Sequence, residues 1–138
     1  MSSNFDQNIA ISRLCKKILL TQANVYSVLS LNKNGRVIES QFTHDRILSQ
    51  MNKSEIEMIC MQRTLQTSLG MEFNELIGPL NCITIERETM FELLFPYSEG
   101  VIFVICDLDV IPRYLSKKIL FIIRDFEWRS KNLIYEQI

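Results

Sequence analysis

Cys82-Ile83-Thr84-Ile85-Glu86, Met90-Phe91-Glu92-Leu93-Leu94-Phe95 and Val101-Ile102-Phe103-Val104-Ile105-Cys106, joined by Arg87-Glu88-Thr89 and Pro96-Tyr97-Ser98-Glu99-Gly100, decide the fold. The links are too short to hold a helix, so each segment is expected to return antiparallel beside the last. The first alternates, with Ile83 and Ile85 on one face and Cys82, Thr84 and Glu86 on the other, as a half-covered or edge strand would. The third is apolar throughout and needs cover on both faces. Helices are therefore expected on both sides of this meander.

The 138 residues fit one domain, expected to span 1–138 with a core at about 9–128 and a C-terminal tail at 129–138. A net charge of −1 gives no bulk attraction to nucleic acid or to an anionic membrane. No apolar run approaches the ~20 residues of a membrane span, and the N-terminus lacks the order of a signal peptide, so a cytoplasmic protein without membrane insertion is expected. Cys15, Cys60, Cys82 and Cys106 are scattered and a single histidine is present, which argues against a metal site. No cofactor is expected.

Upstream, Ile9 to Leu20 reads as a helix with Ile11, Leu14, Cys15 and Ile18 on its apolar side and Arg13, Lys16 and Lys17 on the other. Val25–Leu31 and Arg36–Phe42 read as a hairpin across Asn32-Lys33-Asn34-Gly35, where Asn-Gly supplies positive φ angles. The first of these strands is expected inside the sheet and the second at its edge. His44-Asp45 resembles an oriented base but has no nucleophile placed near it and reads as a polar loop.

Ser54 to Leu69 reads as a helix capped by Ser54 and Glu57 and closed by Gly70. It carries two apolar faces, Met58, Met61, Leu65 and Leu69 on one and Ile56, Ile59 and Cys60 on nearly the opposite one, where Arg63 and Thr67 follow. A sheet covers only one face. The second calls for another chain, or for the loop Ile47–Met51 to lie over it; Ile56, Ile59, Cys60, Arg63 and Thr67 form the expected partner-facing set. Phe73, Leu76 and Ile77 are expected to anchor the following segment to the core. Asp109 and Pro112 open a last helix with Leu115, Ile119, Ile122, Ile123 and Phe126 buried, running to about Trp128.

This α-β-β-α-β-β-β-α order, with the hairpin Val28–Ser40, resembles the roadblock/LC7-like domains, kin of the profilin-like and longin folds. The resemblance implies an α+β domain with a five-stranded antiparallel sheet and helices on both faces. Glu72-Phe73, Leu76 with Gly78-Pro79, Ile85-Glu86-Arg87-Glu88 and Leu94-Phe95-Pro96 also resemble a family of small archaeal proteins of ammonia oxidisers with no assigned activity. Roadblock proteins pair through the helix after the hairpin and the strand after that helix, and scaffold or regulate small Ras-like GTPases. Carried over, this implies a homodimer through residues 54–69 and through Cys82, Thr84 and Glu86. The expected function is a non-enzymatic protein-interaction or scaffolding module. The alternative is a PAS-like or longin-like sensory domain whose ligand pocket would need Tyr26, Phe91, Phe95 and Phe103.

Overall fold

The computed structural model describes residues 2–43 and 47–136. Its elements run α1 (Ser2–Leu19), β1 (Val25–Asn32), β2 (Val37–Phe42), α2 (Lys53–Met71), α3 (Asn74–Ile77), β3 (Ile83–Glu86), β4 (Phe91–Tyr97), β5 (Gly100–Cys106) and α4 (Pro112–Glu136), with a 3-10 turn at Leu48–Gln50 before α2. The five strands form one antiparallel sheet in the order β2-β1-β5-β4-β3. His44, Asp45 and Arg46 lie outside the described residues.

β5 is the middle strand, and its unbroken apolar run is explained by two separate cores. Ile102, Val104 and Cys106 join α1 and α4 with Phe91, Leu93 and Phe95 of β4. Val101, Phe103 and Ile105 join Cys60 of α2 with Leu29, Leu31 and Leu94 on the other side. Strand alternation sends neighbouring side chains to opposite faces, so a strand wrapped by helices front and back must be apolar at every position. β1 lies inside and β2 and β3 at the rims, as the sequence pattern implies.

Several boundaries move for identifiable reasons. α1 begins at Ser2, seven residues before the expected start at Ile9. The hairpin turn is wider than a two-residue Asn-Gly turn. Only Gly35 takes a positive φ (80°), and Asn32 Oδ1 stabilises the turn by accepting from the backbone N–H groups of Asn34 (2.9 Å) and Arg36 (3.0 Å). The cap of α2 is the reciprocal pair Asn52 and Glu55, not Ser54 and Glu57. Gly70 lies inside α2 rather than ending it. A Cβ there would come within 2.9 Å of Leu80 Cδ2, the end of a side chain that can turn aside.

Pro112 is the first residue of α4, while Asp109 lies upstream in the turn and the Ile111 carbonyl accepts from Tyr114 and Leu115. α4 continues to Glu136, so residues 129–136 extend the helix and do not form a separate tail. Phe73, Leu76 and Ile77 do not anchor to the core. Leu76 and Ile77 are 80% and 84% exposed on the short α3.

Candidate protein-interaction surface

α2 lies on the sheet with a mixed apolar and polar side inward. Cys60, Arg63, Thr64 and Thr67 are buried beneath it, and Ile56 and Ile59 are half-buried beside Leu48, Ile47 and Met51. The cause is Glu92 in β4, which has no solvent exposure. A carboxylate taken out of water costs several kcal/mol unless it is paired and hydrogen-bonded. Arg63 supplies two charge-assisted bonds, Nε to Oε1 at 2.6 Å and Nη2 to Oε2 at 3.2 Å, and Arg87 Nε reaches Oε2 at 2.7 Å. Thr64 and Thr67 return their hydroxyls to the carbonyls of Cys60 and Arg63. Among the described residues no buried side-chain polar atom lacks a partner.

This orientation corrects the expected face of the helix. Cys60, Arg63 and Thr67, expected from the sequence to face a partner, are covered by their own sheet, and Ile56 and Ile59 pack with the 47–51 segment. The side left open is Met58, Met61, Leu65 and Leu69, between 53% and 60% exposed. The sequence signal for this arrangement is the acid inside the apolar strand Met90–Phe95: once Glu92 is buried, a cation must face it. Arg87 also pairs with Glu92 across the turn rather than with its neighbours Glu86 and Glu88.

Apolar exposure continues past the end of α2 through Met71, Phe73, Leu76 and Ile77. The chain then returns to β3, where Leu80 and Ile83 lie against Gly70. Among the described residues β3 pairs only with β4, leaving its other hydrogen-bonding edge open. Thr84 and Glu86 are exposed on this strand, whereas Cys82 is half-buried against the core shared with α1 and α4.

The chemistry of the remaining candidates is muted. Burial pushes the Cys15 and Cys106 thiols up to about 12 and Cys60 up to about 11, and it raises Cys82 as well. Such thiols are protonated and poorly nucleophilic at neutral pH. Among the described residues no cluster of three metal-ligating side chains occurs, and no helix is long and apolar enough to cross a membrane. The four aromatics proposed for a ligand pocket are divided by the sheet, Phe91 and Phe95 on one side and Tyr26 and Phe103 on the other. They cannot line one cavity. A shallow open depression lies instead between Lys33 and Asn34 of the hairpin turn and Met58, Met61 and Leu65 of α2.

No protein-family model matches the sequence, and no curated protein does. Solved structures match in shape. A roadblock/LC7 domain from Streptomyces avermitilis superposes with a TM-score of 0.64 at 11% identity, over 89% of this chain and 97% of that one. Myxococcus xanthus MglB gives 0.62 at 17% identity, over 87% and 90%. The gliding protein MglB of Thermus thermophilus gives 0.55 at 10% identity, over 84% and 89%, and a further similar MglB structure is described as having a tetrameric arrangement. With helix, hairpin, helix, meander and helix arranged on one five-stranded sheet, the chain folds as a roadblock/LC7-like domain.

Proposed function

We propose that this chain is a non-enzymatic interaction module that pairs with a second copy of itself and presents the assembled surface to a small Ras-like GTPase. The observation that carries the reading is the outward apolar stripe Met58, Met61, Leu65 and Leu69, on a helix whose inner side is already held to the sheet through Arg63 and Glu92. Leaving a large apolar side chain in water forgoes roughly 1.5–3 kcal/mol relative to burying it. The free edge of β3, with Thr84 and Glu86 on it, offers a row of unpaired backbone groups that an antiparallel twin satisfies symmetrically. The GTPase follows from the roadblock resemblance. The raised thiols and the divided aromatics favour this reading over an enzyme or a small-ligand sensor.

Sedimentation velocity at micromolar concentration tests the pairing. Wild type is expected to run as a dimer and Leu65→Glu as a monomer with an unchanged circular dichroism spectrum. A wild-type monomer overturns the reading. Affinity capture on immobilised wild type and Leu65→Glu, with purified Ras-like GTPases in each nucleotide state, then tests the second partner.

A further inference from the structure

α4 carries a repeating pattern that the core does not use. Its buried line is Leu115, Ile119 and Ile123, and on the opposite side stand Tyr114, Phe121 and Trp128, 63%, 74% and 62% exposed. Seven-residue steps place the three rings in one row, about 10 Å apart. Three residues after each comes an exposed cation: Lys117, Arg124 and Lys131. That spacing sets every cation beside its ring on the same flank of the helix. Arg124 leans from this row to Asn81, donating to its Oδ1 at 2.7 Å.

Charge is segregated in the same sense. α1 and α4, which share one face of the sheet, hold nine Lys and Arg against four Asp and Glu, a net of +5. The rest of the chain holds six against twelve, a net of −6. The overall −1 thus conceals two basic helices on one face, against which Glu99, beside Gln7, and Glu39, near Cys15, are acids from the rest of the chain. The acids near the aromatic row are occupied, Asp125 by Arg129 at 3.0 Å and Glu127 by the backbone N–H of Ser98.

We propose that this face adsorbs to an anionic membrane surface, with Tyr114, Phe121 and Trp128 at headgroup level and Lys117, Arg124 and Lys131 on lipid phosphates. Aromatic rings favour the boundary between water and hydrocarbon, and basic side chains on an amphipathic helix are drawn to acidic headgroups. A ridge with all three rings in line meets a flat surface along its whole length, whereas an acidic peptide or a nucleic-acid strand is held better by a groove. This is adsorption, without a spanning segment. It does not require the pairing proposed above, because α2 lies on the other side of the sheet. If two sheets join antiparallel through β3, both α4 ridges face the same way and one bilayer engages the two together.

Trp128 is the only tryptophan, so its fluorescence reports this face alone. The full chain is titrated with vesicles of equimolar phosphatidylglycerol and phosphatidylcholine, and with phosphatidylcholine alone. A blue shift and co-sedimentation are expected with the first only, both reversed by high salt. Replacing Lys117, Arg124 and Lys131 together by Glu is expected to weaken partition about a hundredfold or more. Phe121→Ser is expected to abolish the tighter part of binding, while Leu65→Glu on the opposite face leaves the shift in place at saturating lipid. Unchanged emission with anionic vesicles overturns the proposal, as does equal binding to phosphatidylcholine alone. A shift produced by polyglutamate or duplex DNA but not by vesicles reassigns the face to an acidic protein or a nucleic acid, and also overturns it.

Discussion

The two sides of the sheet solve the same burial problem in opposite ways. Against one side, α1 and α4 lay down apolar stripes that read the same in sequence and in structure: Ile11, Leu14, Cys15 and Ile18, then Leu115, Ile119 and Ile123. Against the other, α2 lays down Arg63, Thr64 and Thr67 among its apolar contacts and holds its Met and Leu stripe outward. An apolar stripe therefore need not mark the inward face of a helix when the sheet beneath it holds a buried charge. Where the sheet carries a buried charge, the counter-charge sets the rotation of the helix, because a stranded carboxylate costs more than an exposed leucine.

Truncation at the middle strand and at the ion pair tests that contrast most severely. Phe103→Ala is expected to cost about 3–5 kcal/mol in urea denaturation as a cavity in the core under α2. Arg63→Ala is expected to cost a comparable ~3–5 kcal/mol, by leaving Glu92 with Arg87 alone. The pair of substitutions Arg63→Met with Glu92→Leu is expected to recover most of that loss. If Arg63→Ala alone proves neutral, the ion pair does not set the orientation of α2.

The buried thiols give a smaller, pH-dependent contrast. Their folded pKa values are raised, so their contribution is fully present below the unfolded thiol value of about 8.5 and is lost as pH rises through 11 to 12. Stability is expected to fall by roughly 1–2 kcal/mol per thiol between pH 8 and pH 10, and Cys15→Ala is expected to remove one such share. Urea midpoints at the two pH values measure it. The smallest effect belongs to the outer stripe. Leu65→Glu is expected to change the stability of the isolated protomer by no more than ~0.5 kcal/mol, read at concentrations too low for pairing. A large loss there would place Leu65 in the protomer's own core.

Much of the fold was legible because strand and helix periods were intact. The double-sided burial of Val101–Cys106 fixed the middle of the sheet, short links fixed the antiparallel meander, and alternation at Ile83 to Glu86 put that strand at a rim. The ends of elements were less legible. The Asn52–Glu55 cap has the same three-residue spacing as Ser54 and Glu57, so local pattern does not choose between them, and α4 past Trp128 is held by local contacts, Arg129 to Asp125 and Asn132 to the Trp128 carbonyl. The exposure of the proposed interaction residues was legible in part. Periodicity shows α2 to be two-faced but points to the wrong face as the outward one, while Thr84 and Glu86 do lie exposed on an open strand.

By itself, the sequence determined which segments are strands and helices, which strand must be wrapped on both sides, and that α2 has more apolar surface than one sheet can cover. Those properties are written in local periodicity. Only the tertiary structure decided which side of α2 meets the sheet and that α1 and α4, with their cations, share one face of it. Both depend on pairings between residues far apart in the chain, Arg63 with Glu92 above all, and electrostatic free energy is a property of distance and burial rather than of composition.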